Sequence, residues 1–196
     1  LQVADAGMAN TGDMMQRLRE LAVQSANGTL TDEDRAAIQG EANQILDEMN
    51  RASSTVEFNG EPLLTGETFT LQVGGNEGET IAVTPGTVST DAYGLTGLDL
   101  STQSGAASAL GKIDTAIDQL SSQRAELGSQ MNRIDSATGY VGVARENTLA
   151  ALSNEQDTNF ALASTELALS QIRDKTSLAA LTQSNLQAQN VLKLLG

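Results

Sequence analysis

The sequence has no cysteine, no histidine and no tryptophan. Without cysteine there are no disulfides, no thiol chemistry and no thiolate metal sites. Without histidine there is no Ser-His-Asp triad, no Cys-His pair and no imidazole base. Aromatic residues make up 3% of the chain and there are two prolines. Burial must therefore come from leucine and small side chains on long helices rather than from large rings. Bases are scarce as well: 11 Lys and Arg face 25 Asp and Glu, a formal charge of −14. That balance argues against nucleic acid, whose phosphates need clustered cations, and against a basic amphipathic face on an anionic membrane. No apolar run reaches the roughly 18 residues of a membrane-spanning helix, so no membrane insertion is expected. The opening LQVADAGMAN lacks the basic and apolar regions of a signal peptide.

What is present is mostly helical in type. Gln2–Ala26 carries Met8, Met15, Leu18, Leu21 and Ala22 and ends at Asn27-Gly28, a helix stop. A second helix opens at Thr31, which caps it, with Asp32, Glu33 and Asp34 at the positive end of its dipole. Its apolar positions Ile38, Ala42, Ile45, Met49, Ala52 and Val56 step by four and three, a coiled-coil-like seam. Glycine, threonine and both prolines gather between about 57 and 100. There TFTLQV over Thr68–Val73 and the run Thr80–Val83 flank a glycine turn, which predicts a β-hairpin. The rest of this stretch reads as an irregular connection over the surface.

From Leu110 to Leu152, thirteen positions alternate steps of three and four, and nine of them are apolar. A helix of about 47 residues over Ala106–Leu152 would be about 70 Å long, which predicts an elongated, rod-like bundle. A further helix is expected from Asp157 toward Leu195; its SLAALTQSNLQAQNVLKLL stretch is nearly uncharged and apolar on more than one face. Such a helix is marginal alone in water and needs a partner. The fold class is thus mainly α, an elongated, coiled-coil-like long-helix rod with a small β-hairpin. Its expected parts are core helices at 1–56, the hairpin and connection at 57–105, a core helix at 106–156 and a last helix at 157–196.

The motifs that could carry chemistry fall short. Counted from Asp32, a calcium loop would need glycine and glutamate where Ala37 and Asn43 stand. Gly74-Gly75-Asn76-Glu77-Gly78 lacks the Gly-Lys-Ser/Thr ending of a phosphate loop and reads as a turn. Glu20, Glu41, Glu48, Glu126, Glu146 and Glu166 are carboxylates on helices without a cleft or sugar-stacking rings. No catalytic residue, metal or cofactor is expected. Arg124 and Arg145 lie on the seam of the third segment. Either their stems pack and their heads reach water, or they set register or face a neighbouring subunit; the second reading gives charge on a seam a reason.

Several stretches together carry a family resemblance. QRLRELAVQSANGT and ASSTVEFNGEPLL resemble the amino-terminal core of bacterial flagellin. TFTLQVGGNEGETI looks like the flagellin core hairpin, and ALGKIDTAIDQLSSQRAELGSQMNRID like its carboxy-terminal core helix. DTNFALASTELALSQI and NLQAQNVLKLL resemble the carboxy-terminal helix. The match covers nearly the whole chain in the right order. It departs from the usual flagellin in lacking a further amino-terminal segment and in the short Leu100–Ala106 connection, where many flagellins carry large outer domains.

The resemblance implies that the helices of the rod are antiparallel. It implies a non-enzymatic filament subunit of the extracellular bacterial flagellum, exported unfolded through the flagellar type III channel, self-assembling and serving motility. It implies that Leu178, Leu181, Leu186, Val191, Leu192 and Leu195 line the inner tube of the filament and are held by the flagellin export chaperone before assembly. It also implies that Arg17, Leu21 and Glu41, flanked by Gln16 and Gln24, form protofilament contacts. In the monomer the same residues would be the surface read by the vertebrate flagellin-sensing Toll-like receptor. Two relatives would share the fold: the hook–filament junction protein, and a flagellin homologue acting as a cell-surface ligand receptor or adhesin.

Overall fold

The structure is a computed structural model that describes residues 1–195, with side-chain surroundings described through residue 190. Three helices dominate: α1 (Gln2–Ser25), α2 (Asp32–Thr55) and α3 (Gln103–Leu195). Between α2 and α3 lie four short strands, β1 (Glu57–Phe58), β2 (Glu61–Pro62), β3 (Phe69–Gln72) and β4 (Thr80–Val83). The chain divides into two compact units, Leu1–Gly139 and Tyr140–Gly196.

In the first unit, α1 buries Ala4, Met8, Thr11, Met15, Leu18, Leu21, Ala22 and Ser25. These residues recur at steps of three and four, so they form one stripe along the helix. α2 faces it with Ile38, Ala42, Leu46, Met49 and Ala52, and α3 adds Ala106, Ala109, Ile113, Ala116, Leu120 and Leu127. Alanine recurs at the contacts, which lets helix axes approach closely and leaves leucine and methionine to fill the gaps. Thr11 sits in this core because its hydroxyl donates to the Gly7 carbonyl at 3.0 Å, leaving no unsatisfied polar atom.

The turn between α1 and α2 is closed by charge. Thr31 accepts from the Asp34 N–H at 3.2 Å, and the Asp34 carboxylate accepts from the Thr31 N–H at 3.1 Å. This reciprocal cap satisfies donors that a helix start otherwise leaves open. It is the reading the sequence supports for the Asp32–Asp34 cluster. The buried Arg35 guanidinium donates to the Ser25 carbonyl at 3.0 Å and the Asn27 carbonyl at 2.9 Å. A cation is favourable there, at the negative end of α1.

The strands form two antiparallel pairs. β3 and β4 pair from Phe69↔Val83 to Gln72↔Thr80, the hairpin expected from the sequence. The β1–β2 pair is an addition to the expected hairpin, and Asn59-Gly60 is its short-hairpin signal. Asn59 at φ 57° and Gly60 at φ 83° supply the two left-handed residues that such a turn requires.

Three expectations are corrected. The stretch after β4 is not a surface connection, because Val88, Tyr93, Leu95, Leu98 and Leu100 are buried among the helices. Its backbone is pinned by side chains: Asn50 accepts from Thr90 N–H at 3.0 Å, and Gln39 donates to the Leu98 carbonyl at 3.1 Å. The third and fourth helical segments are one helix, α3, with no break between Leu152 and Asp157. Neither proline nor glycine occurs between Gly142 and Gly196, so nothing there terminates a helix. Finally, the seam from Leu110 to Leu152 is packed only in its first part. Its later apolar members Val141 and Leu152 are exposed.

Candidate assembly and recognition surfaces

Arg17 lies on the flank of α1 that faces α2. Its Nε and Nη2 donate to Glu41 Oε1 at 3.0 and 2.7 Å, and its Nη1 donates to Glu20 Oε2 at 3.0 Å. These bonds, Glu41 first and then Glu20, hold the guanidinium above its ordinary pKa. All three side chains remain about half open to water, which leaves them available to a partner. Gln16 and Gln24 are exposed on the same helix. The face is therefore a charged, hydrogen-bonding strip spanning α1 and α2.

Leu21 does not belong to that strip. It is 1% exposed and packs in the core with Leu18 and Ala22, so it cannot serve as a surface contact in this chain. The expectation that pairs it with Arg17 as a contact residue is corrected. Four residues after Arg17, Leu21 is close in sequence to the strip, but its side chain turns with the buried stripe. Glu20, which the sequence reading did not place here, completes the charged cluster instead.

The opposite flank of α1 is tied to α3. Arg19 Nε donates to Asp114 Oδ1 at 2.6 Å, and Arg124 Nε donates to Asp5 Oδ1 at 2.9 Å. The two pairs run in opposite chain directions, so α1 and the start of α3 are antiparallel. Hydrogen bonding to Asp5 raises the Arg124 pKa. Arg145 is exposed and forms no ion pair among the described residues. The Arg19–Asp114 and Asp5–Arg124 pairs join positions 95 and 119 residues apart, a separation that periodicity does not reveal.

In the second unit, the described side chains of α3 lie open. Phe160, Leu162, Leu167, Leu169 and Ile172 are exposed, as are Leu178, Leu181 and Leu186 at 65%, 62% and 55%. The calls on the side chains of Val191, Leu192 and Leu195 lie outside the described residues. An array of large apolar side chains in water on this scale marks an interaction surface. No cluster of metal-ligating groups occurs among the described residues, and no helix among them is long and apolar enough to cross a membrane.

Residues 1–68 match the family described as the bacterial flagellin N-terminal helical region, and residues 110–195 match the bacterial flagellin C-terminal helical region. The chain belongs to the bacterial flagellin family. The flagellar filament 30.7 kDa core protein of Treponema maltophilum is 36% identical over 212 residues, covering 100% of this chain and 74% of that protein. A flagellin of Halalkalibacterium halodurans is 36% identical over 199 residues, covering 100% of this chain and 73% of its own length. Among solved structures, Bacillus cereus flagellin aligns with a TM-score of 0.64 at 29% identity, over 76% of this chain and 88% of that one. As a flagellin, the chain is a structural, non-enzymatic protein of the extracellular flagellar filament.

Proposed function

We propose that this flagellin is exported unfolded through the flagellar type III channel and adds to the filament by burying the apolar side chains of distal α3 between subunits, and so serves motility. The observation that carries this reading is the exposure of Leu178, Leu181 and Leu186 together with their apolar neighbours upstream. Removing each such side chain from water is worth about 1.5–3 kcal/mol, so a few of them repeated along a helix supply a driving force for association. Before assembly, the same residues would lie in the groove of an export chaperone, as an amphipathic helix does in a partner's apolar cleft. The absence of cysteine suits passage as an unfolded chain, because no disulfide can form on the way.

The monomer also has a recognition face. Arg17, Glu41 and Glu20, with Gln16 and Gln24 beside them, are the residues we assign to the vertebrate flagellin-sensing Toll-like receptor and to protofilament contacts. A guanidinium held by two carboxylates presents fixed donors and acceptors, the kind of anchor on which interfaces concentrate their energy. The names of the relatives, filament core protein and flagellin, favour a filament subunit over the junction-protein reading.

The test is complementation of a non-motile strain lacking its own flagellin. The wild-type gene should restore swimming in soft agar. The Leu178→Ser/Leu181→Ser gene, expressed to the same level, should not. Swimming by the double variant would count against an assembly role for this face.

A further inference from the structure

We propose that the Asn59-Gly60 turn is a site of spontaneous deamidation in the folded protein, and that the other Asn-Gly pair, Asn27-Gly28, is shielded from it. The chemistry needs only water. The Gly60 backbone nitrogen attacks Asn59 Cγ; the N–Cγ bond forms, the Cγ–Nδ2 bond breaks and ammonia leaves. The proton from the Gly60 N–H passes to water or hydroxide. Water then opens the five-membered succinimide at either carbonyl, giving aspartate or isoaspartate. Glycine in the following position favours the attack because it has no Cβ to obstruct the ring.

The two pairs share this dipeptide and differ in what holds them. Asn59 and Gly60 are both exposed at the tip of β1–β2. Asn59 already has a left-handed φ of 57°. Nothing lies within 4 Å of the space beside the Gly60 Cα. Among the described residues, no partner engages the Asn59 carboxamide or the Gly60 N–H. Asn27 is held through its side-chain oxygen and its backbone. Its Oδ1 accepts from the Thr29 N–H at 3.2 Å and the Thr29 hydroxyl at 3.1 Å. Its carbonyl accepts from the Arg35 guanidinium at 2.9 Å, and its N–H donates to the Gln24 carbonyl at 3.2 Å. Swinging the Asn27 carboxamide onto the next nitrogen breaks its two bonds from Thr29, while the backbone bonds hold the turn in place; swinging that of Asn59 breaks none.

The products differ in consequence. Asp-Gly suits the same two-residue turn, so the aspartate form keeps the hairpin and gains a negative charge beside Glu57 and Glu61. Isoaspartate adds a backbone carbon, and the turn no longer spans the Phe58↔Glu61 pair. A protein of the extracellular filament meets water for the life of that filament, so this change accumulates with age.

The experiment incubates the native protein at mildly alkaline pH for days, then maps its peptides with electron-transfer fragmentation to separate aspartate from isoaspartate. Asn59 should convert about tenfold faster than Asn27, the scale of one retained hydrogen bond. In urea the two rates should be equal. Thr29→Ala, on an exposed side chain, should raise the Asn27 rate in the folded protein while leaving Asn59 unchanged. Equal rates in the native state, a faster Asn27, or no response to Thr29→Ala would overturn the proposal.

Discussion

Arg17 and Leu21 stand four residues apart on one helix and answer to different physics. Leu21→Ala removes a buried side chain and should destabilise the first unit by about 2–5 kcal/mol, read as a lower urea midpoint. Arg17→Ala removes an exposed ion pair. It should leave that midpoint nearly unchanged while weakening receptor binding about tenfold, as measured by surface plasmon resonance. If the two variants behaved alike in both assays, the division between core and recognition strip would be wrong. That division is legible in the sequence, because Leu21 follows Leu18 by three residues and shares its stripe; the family resemblance, which places Leu21 with Arg17 at the contact surface, runs against it. Tyr93 was not legible in the same way. Burial pushes its hydroxyl up to about 12, and it donates to Gln123 Oε1 at 2.9 Å. A phenol whose folded pKa is raised keeps its proton longer in the native state. Its contribution is therefore complete below the ordinary value of 10.0 and is lost as pH climbs from there toward 12. Tyr93→Phe should flatten that alkaline loss in a pH series of thermal melts. It should also cost about 1 kcal/mol at neutral pH for the missing hydrogen bond.

At the scale of elements, the starts and stops of α1 and α2 follow from local chemistry. Thr31→Ala removes the reciprocal cap of α2 and should cost about 1 kcal/mol of stability. The Asp34 carboxylate, lowered by its hydrogen bonds to Thr31, fixes the pH dependence of that cap. A lowered folded pKa means the contribution is present above the ordinary aspartate value of 3.8 and disappears as pH falls through the lower folded value. The difference between wild type and Thr31→Ala should therefore shrink in acid; a constant difference down to the acid limit would contradict the cap. Elements set by distant residues were harder to read. The stretch after β4 looks like a loop because its apolar residues follow no period. Only Asn50, Gln39 and the facing helices explain why Val88, Leu95 and Leu100 turn inward. The polar run Ser153–Thr158 interrupts the apolar pattern inside α3 and suggests two helices, but interruption of a pattern is not a helix stop. The pairing of Asp5 with Arg124 was invisible for the same reason: charge partners 119 residues apart leave no local signature.

For the whole protein, the two units differ in what they bury. The first has a closed core, and its surface is charged and hydrogen-bonding. The second is helical throughout its described part and leaves its large apolar side chains in water. On the proposed function, a flagellin built this way is stable through the first unit and would associate through the second. Leu178→Ser/Leu181→Ser should then leave the thermal melt of the first unit unchanged, because both side chains are already exposed. The most direct measurement is elongation of short filament seeds, followed by negative-stain electron microscopy, with wild-type and Leu178→Ser/Leu181→Ser protein side by side. Long uniform tubes from the wild type and bare seeds with the variant are the expected result. Equal elongation by both proteins would contradict the assignment of distal α3 as the assembly surface.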